Sequence, residues 1–390
     1  MVELPYGRVP YLLDLRGRDA TIACAAERPS PPALAPLLDA ALDAPIGGPR
    51  LEELVSAGTN VTIIVSDATR IEPRAELLAH LRARLPTAPW TLAIATGTHG
   101  PTSLDALGLP AHLLRDARIV NHDGHADADL VTIGTTSRGT PVRLHRCVVE
   151  TDLIVATGCI QPHYFAGFGA GVKAIFPGLG AASSIRRNHA LKIEPLSRAG
   201  IIDGNPCRDD LEEAVGLLGT PAFLLNGVCA PDLRVHAAVA GDLRAAFRAG
   251  VELARPWFTV RAPRVPLVIA SDALPVTASL YQAAKVAAAV APLVAPGGTL
   301  VLVAECPDGI GPLDVVNEAI FRIGVLPRLA LGVKIELVSS LSPDEVSRTL
   351  LSHAPSVEDI LRRVPGPVVV VPHASRLLFD PDLESDESFS

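Results

Sequence analysis

Short apolar runs rich in β-branched residues alternate along this chain with longer stretches of helical periodicity, and that alternation restricts the fold more than any other feature. The runs lie at 61–65, 91–95, 153–156, 223–225, 267–270, 300–303 and 368–371, and helical patterns at 74–84, 209–218, 279–290 and 343–352 fall between them. Strands this short and this apolar are buried on both faces, and helical crossovers between them make parallel sheets. The fold class is therefore α/β. At 390 residues the chain exceeds one ordinary core, so two α/β domains with largely parallel sheets are expected. The segment 254–266 (ARPWFTVRAPRVP), rich in Pro and Arg, separates two such series. It sets the expected domains at 1–262 and 263–390.

Composition removes several classes of function. The net charge is −8 with no block of Lys or Arg, so the concentrated basic face that nucleic-acid binding needs is missing. The six cysteines contain no C-x-x-C pair, which fits reduced thiols and a cytoplasmic location. Two uncharged stretches, 153–172 and 286–304, are long enough to consider as membrane spans. The first carries Gln161, Pro162, His163 and four glycines, and the second Pro292, Pro296, Gly297 and Gly298. Neither makes one satisfied helix, so no membrane span is expected. The first residues lack the basic and apolar regions of a signal peptide. Residues 23–49 read as irregular surface with one short helix, and the acidic tail 380–390 as mobile at its end.

Polar clusters recur at the C-terminal ends of the candidate strands, the edge where open α/β sheets bind ligands. Run 61–65 leads into Ser66-Asp67-Ala68-Thr69-Arg70, run 91–95 into Thr96-Gly97-Thr98-His99-Gly100, and run 153–156 into Thr157-Gly158 and then His163. The Ser66 cluster offers hydroxyls and a guanidinium at a helix start, suited to a phosphate or carboxylate. A helix cap with a surface arginine would use the same residues. Lys173 follows Gly169 and Gly171, yet Val172 before it and Ala174 after it break the Walker pattern. His189 lies within a helical pattern, where a structural histidine and a metal ligand look alike.

Two further clusters stand out. Between 122 and 129 there are two imidazoles and three carboxylates, a metal-site composition without the fixed spacing of one. It reads equally as a solvated turn. Tyr281, Gln282 and Lys285 share one face of a helix by their three- and four-residue spacing, after a strand ending in Ser271-Asp272. That face fits a substrate contact or plain solvent surface.

Taken in order, these motifs resemble the nickel-pincer lactate racemase family. The resemblance rests on Ser66-Asp67-x-Thr69-Arg70, Thr96-Gly97-Thr98-His99, Asn121-His122-Asp123, Pro162-His163-Tyr164-Phe165-Ala166-Gly167 leading to Lys173 and Pro177-Gly178, Asn188-His189, and Tyr281-Gln282-x-x-Lys285. It covers most of the chain, from about residue 10 to residue 375. It implies a racemase or epimerase of a 2-hydroxy carboxylic acid, with the 1–262 domain binding the cofactor and the active site in an interdomain cleft. The implied cofactor is a nickel-pincer nucleotide, a nickel(II) pyridinium-3,5-bisthiocarboxylic acid mononucleotide, held covalently on Lys173. His189 would be the metal ligand, and Asp67, Ala68, Thr69, Arg70 and Gly97 would line the nucleotide. His99 and His163 would be the acid/base pair, and Arg70, Tyr281, Gln282 and Lys285 would hold substrate. The 121–123 cluster becomes a family loop rather than a metal site.

The implied reaction removes hydride from carbon 2, giving a 2-oxo acid and avoiding a carbanion beside a carboxylate. Implied partners are the 2-hydroxy acid and the enzymes that mature the cofactor. A homo-oligomer is compatible with the sequence. Two other readings stay open: a nickel-pincer oxidoreductase on the same scaffold, and a non-catalytic nucleotide-binding relative. The chain departs from the family pattern at Ile71, where proline is usual, and at Gly100 and Val172, where arginine is common. Those losses of positive charge point to a substrate other than, or broader than, lactate.

Overall fold

The first strand to enter a large sheet, β1 (Ala20–Ile22), pairs in parallel with residues 368–370 near the other end of the chain. This computed structural model describes residues 1–85 and 90–382, and the tail call at 383–390 lies outside them. Contacts divide the chain into one unit of Arg28–Trp257 and another built from Met1–Glu27 and the chain from Phe258 onward. The division inside 254–266 falls five residues before the expected 262/263 boundary. The larger correction is that residues 1–27 belong with the C-terminal unit. Leu4 and Leu13, on paired short strands, are buried in the same core as Leu267, Ile269, Val301 and Val368.

The Arg28–Trp257 unit is built on β2 (Val61–Ser66), β3 (Trp90–Ala95), β4 (Ala117–Asn121), β5 (Leu153–Ile160), β6 (Ala222–Cys229) and β7 (Val235–Asp242). Their order across the sheet is β7-β6-β5-β2-β3-β4, parallel except for β7 against β6. From β2 the chain moves outward through β3 to β4, then crosses to β5 on the other side of β2. The order therefore reverses between β2 and β5, and the crevice at their C-terminal ends is where such sheets bind ligands. Val61, Ile63 and Val65 alternate onto one face, where helix α1 (Leu34–Asp43) supplies Leu38 and Leu42 and α2 (Arg74–Arg84) supplies Leu77, Leu78 and Leu81. Each such leucine stabilises the layer by about 1.5–3 kcal/mol. Arg84 at the end of α2 bonds Asp43 and Glu52 and satisfies the basic preference of a helix C-terminus.

Strand β5 overruns its expected end at 156. It continues to Ile160 because β6 pairs with it from Ile154 to Ile160, so the site loop begins only at Gln161. Strand β7 has no β-branched run, only the separated Val235 and Val239 among alanines at 237, 238 and 240, too sparse a pattern to mark a strand. The second unit holds β8 (Val265–Ser271), β9 (Val294–Val303), β10 (Lys334–Val338), β11 (Ser352–His353) and β12 (Val368–Val371). With β1 they form an all-parallel sheet in the order β11-β10-β9-β8-β12-β1. The helix expected at 343–352 stops at Ser347, although its Ser342–Glu345 capping box is well formed.

Candidate active site

Asp67, the residue after β2, organises the first loop. Its Oδ1 accepts from the Thr69 backbone N at 2.7 Å and the Thr69 hydroxyl at 2.5 Å, while Oδ2 faces His99 Nδ1 at 2.8 Å. Burial raises the Asp67 carboxyl, but the bonds from His99 and Thr69 outweigh it and hold the group at about 2. Two residues outside the sequence reading clamp this loop. Arg74 donates to the carbonyls of Ser66 (2.8 Å), Arg70 (2.5 Å) and Asp67. Glu72 accepts from the Ser66 N and hydroxyl and lies 3.3 Å from Arg74 Nε. Only the i,i+2 pairing of Glu72 with Arg74 could have signalled them. Arg70 itself is exposed.

His99 ends a tight turn after β3. Gly97, at φ +57°, donates its N–H to the Gly178 carbonyl at 2.9 Å, and the Thr96 hydroxyl donates to the His122 carbonyl at 2.7 Å. Because the Asp67 carboxylate accepts from Nδ1–H, the neutral tautomer of His99 leaves Nε2 as a bare acceptor. Asn121 closes the turn from the far side through two bonds to the Thr102 backbone.

After β5 the chain forms a small hairpin, with Pro162-His163 paired antiparallel to Gly167-Phe168. A Cβ on Gly167 would sit 2.1 Å from the Ile201 carbonyl oxygen, so only glycine fits this closure. His163 Nδ1 accepts from the Ala166 N–H at 3.2 Å, which puts the proton of the neutral ring on Nε2. Phe165 gathers the remaining groups. Its ring meets His163 edge-on at 4.7 Å and His189 at 4.9 Å, and Lys173 Nζ lies 5.9 Å from its centroid. Ala170 takes φ +65°, ψ −161°, a region nearly exclusive to glycine, which costs about 1–3 kcal/mol. That strain sits three residues before Lys173.

Burial lowers the Lys173 amine from its ordinary 10.5 to about 7, with Cys207 opposing the shift and Arg208 and Arg70 adding to it. The residue as a whole is half-buried. His189 lies on α3 (Ala182–Ala190). Burial, then the nearby Lys173 and Lys192, lower it to about 3, while the Ile185 carbonyl pulls the other way without the alignment of a hydrogen bond. Its Nδ1 is buried and has no partner. Helix α3 is fixed by Asn188, whose Nδ2 donates to Asp210 Oδ2 at 2.8 Å and to the Cys207 carbonyl at 3.1 Å. Asp210 also accepts from the Thr136 and Thr140 hydroxyls. It stands on α4 (Pro206–Gly216), which opens with an Asn205 cap and Pro206. Asp210 escaped sequence reading because its partners are 70 or more residues away in the case of the two threonines.

The Arg28–Trp257 unit thus brings together Asp67, Ala68, Thr69, Arg70, Gly97, His99, His163, Lys173 and His189 along one sheet edge and the segments behind it. Tyr281, Gln282 and Lys285 lie in the other unit, on α5 (Leu280–Val290), where Lys285 Nζ donates to Gln282 Oε1 at 2.5 Å. His125 and the carboxylates of the 122–129 loop form no metal site: among the described residues, no three His, Cys, Asp or Glu side chains are grouped to hold an ion. His122 is instead wholly buried. Val172 is also fully buried, so its side chain is part of the packing rather than an open pocket. Gly100 has nothing within 4 Å of where a Cβ would stand.

The lactate racemase N-terminal domain family matches residues 6–200. A lactate racemase of Thermoanaerobacterium thermosaccharolyticum is 31% identical over 346 residues, 82% of this chain and 81% of that protein. One of Lactiplantibacillus plantarum is 31% identical over 283 residues, 70% of this chain and 66% of its own length. The structure of the T. thermosaccharolyticum lactate racemase apoprotein superposes with a TM-score of 0.84 at 27% identity, covering 97% of this chain and 99% of that one. A Thermotoga maritima protein shares the fold at a TM-score of 0.58 and 16% identity, over 86% of this chain and 99% of its own. Among the described residues no helix is long and apolar enough to cross a membrane.

Proposed function

The chain belongs to the lactate racemase family and is an isomerase, and from that premise we propose that it inverts carbon 2 of a 2-hydroxy carboxylate, using a nickel-pincer nucleotide carried on Lys173. The observation that carries this reading is one sheet edge holding two imidazoles of opposite resting tautomer, His99 and His163, beside a weakly basic amine and an unpartnered imidazole.

The residues present fit such a cofactor. A covalent link needs an uncharged amine, and Lys173 titrates near 7. Nickel held by soft sulfur donors takes a neutral imidazole, and His189 stays neutral above about pH 3 with Nδ1 unpartnered. The backbone of Asp67, Ala68, Thr69, Arg70 and Gly97 would line the nucleotide. When bound, the cofactor supplies a reversible hydride acceptor, so the substrate passes through a planar 2-oxo acid.

His99 Nε2 takes the hydroxyl proton, and the resulting imidazolium is held by the Asp67 carboxylate, in the manner of a His–Asp pair. His163 rests with one N–H, on Nε2, and returns a proton to the substrate only after taking one up to become imidazolium, which leaves neutral imidazole behind. Serving the other enantiomer requires the roles to exchange, so His163 must give up its bond from the Ala166 N–H. Arg70 is assigned to the substrate carboxylate. The test uses holoprotein made beside the cofactor-maturation enzymes and a substrate deuterated at carbon 2. Inversion should retain the deuterium, because hydride returns without meeting solvent. Complete wash-out to water would sink the hydride reading.

Asp67→Asn should keep the cofactor and lower kcat by about 10²–10⁴, as expected when a histidine is left in the wrong tautomer. The measurement is kcat against the intact mass of the loaded variant. The sign of the acid dependence follows from the depressed carboxyl. Its contribution to stability is full above its ordinary 3.8 and is lost as pH falls through about 2. Acid melting of wild type and Asp67→Asn should therefore differ above pH 4 and converge below 2.

The open space at Gly100, where relatives commonly carry arginine, supports a substituent larger than methyl or lacking charge. Inversion assays across lactate, malate, phenyllactate and sugar acids should show lactate without a wide lead. A strong preference for lactate would remove this argument.

A further inference from the structure

We infer that the segment Asn121 to Gly124, through His122 and Gly124, is a positioning device that sets the distance between the acid/base turn and the cofactor-bearing segment. This rests on the function proposed above, which gives the segment no role. Three elements meet it. The His122 carbonyl accepts from the Thr96 hydroxyl at 2.7 Å, holding the turn that ends in His99. The buried His122 ring donates from Nε2 to the Gly180 carbonyl at 3.0 Å, in the loop that follows Lys173. The Gly124 carbonyl accepts from Ala182 N at 2.8 Å, at the start of the helix carrying His189.

The acid/base turn also touches the Lys173 segment directly, through Gly97 N to the Gly178 carbonyl at 2.9 Å, and within that segment Gly178 N bonds back to the Lys173 carbonyl at 3.0 Å. There is no slack between them. A Cβ at Gly124 would meet the Gly97 carbonyl oxygen at 2.9 Å and both the Gly180 carbonyl oxygen and Ala182 N at 3.1 Å. Gly180 O can only accept, so the His122 proton must stay on Nε2, and burial helps by keeping the ring neutral. Neither His122 nor Gly124 needs to touch substrate. Their effect is on where His99 stands relative to a group tethered on Lys173, and a misplacement of about 1 Å can cost about 10²-fold in rate.

The holoenzyme variants His122→Phe and Gly124→Ala test this, with His122→Gln as the conservative control, since its amide can reach the Nε2 position. His122→Phe keeps the ring and loses the donor. Gly124→Ala leaves His122 intact and inserts the Cβ. Both should keep the Lys173 adduct by intact mass and a near wild-type KM, while kcat falls about 10²-fold. His122→Gln should recover most of the loss. Folded, loaded His122→Phe or Gly124→Ala enzyme with wild-type kcat would overturn the inference, and so would equal losses in kcat and affinity. Hydrogen exchange in the apoprotein separates this from failure of the functional reading. The Gly97 and Ala182 amides should exchange faster in His122→Phe even if the wild-type chain never takes up cofactor, and unchanged exchange at both would refute the device.

Discussion

Lys173→Ala protein, made beside the cofactor-maturation enzymes, should run at its unmodified mass and show no inversion of any 2-hydroxy acid. The argument starts with the amine. An ordinary lysine near 10.5 is almost wholly charged at neutral pH and is a poor nucleophile, whereas a group near 7 presents its lone pair roughly 10³-fold more often. Burial beside the Phe165 ring lowers it, with the guanidiniums of Arg208 and Arg70 adding and Cys207 opposing, and the strained Ala170 turn lies three residues before it. Lys173→Arg should fail in the same way, since a guanidinium stays charged and cannot form the link. The sign of the pH effect is fixed by the same shift. Attachment in vitro should slow about tenfold per pH unit below 7 and level off above it. Wild-type protein with no adduct and no nickel, but full activity, would end the proposal. An adduct persisting in Lys173→Ala would move the attachment elsewhere.

Much of this site was legible because its residues sit where a parallel sheet hands the chain to a loop. Asp67 to Arg70 and Thr96 to His99 follow β2 and β3 directly, so a strand read from its β-branched residues also located the loop. His163 was expected in a loop opening after residue 156, whereas β5 runs on to Ile160 under pairing from β6. Other features had no local signature. Asp210 works through Asn188, Thr136 and Thr140, which only the fold brings together. His122 looked like part of a solvated or metal-binding turn, and the structure buries it completely. The N-terminal residues could not be assigned to the second unit from periodicity, since β1 joins β12 across the length of the chain. A three-residue strand supplies too little pattern to reveal a partner that distant.

The opposite resting tautomers of His99 and His163 lead to the other large effect expected. Replacing either by Ala should cut kcat by about 10²–10⁴ while the Lys173 adduct and nickel remain. Enantiomers have equal free energy, so kcat/KM for the two directions must fall together in each variant, and steady-state ratios will not tell the histidines apart. Single-turnover formation of 2-oxo acid will. In the wild-type chain His99 has a bare Nε2 backed by the Asp67 carboxylate, whereas His163 holds its proton on Nε2 while Nδ1 accepts from Ala166. One enantiomer presents its hydroxyl to the ready base and the other to the histidine that must first rearrange. His99→Ala should therefore slow oxidation of one enantiomer most, and His163→Ala the other. Ala166→Pro, which removes the N–H that fixes the His163 tautomer, should speed the slower direction if the hairpin holds its shape. Circular dichroism and intact mass check that condition. If both alanine variants are slow with the same enantiomer, the two-base assignment is wrong and one histidine carries the proton in both directions.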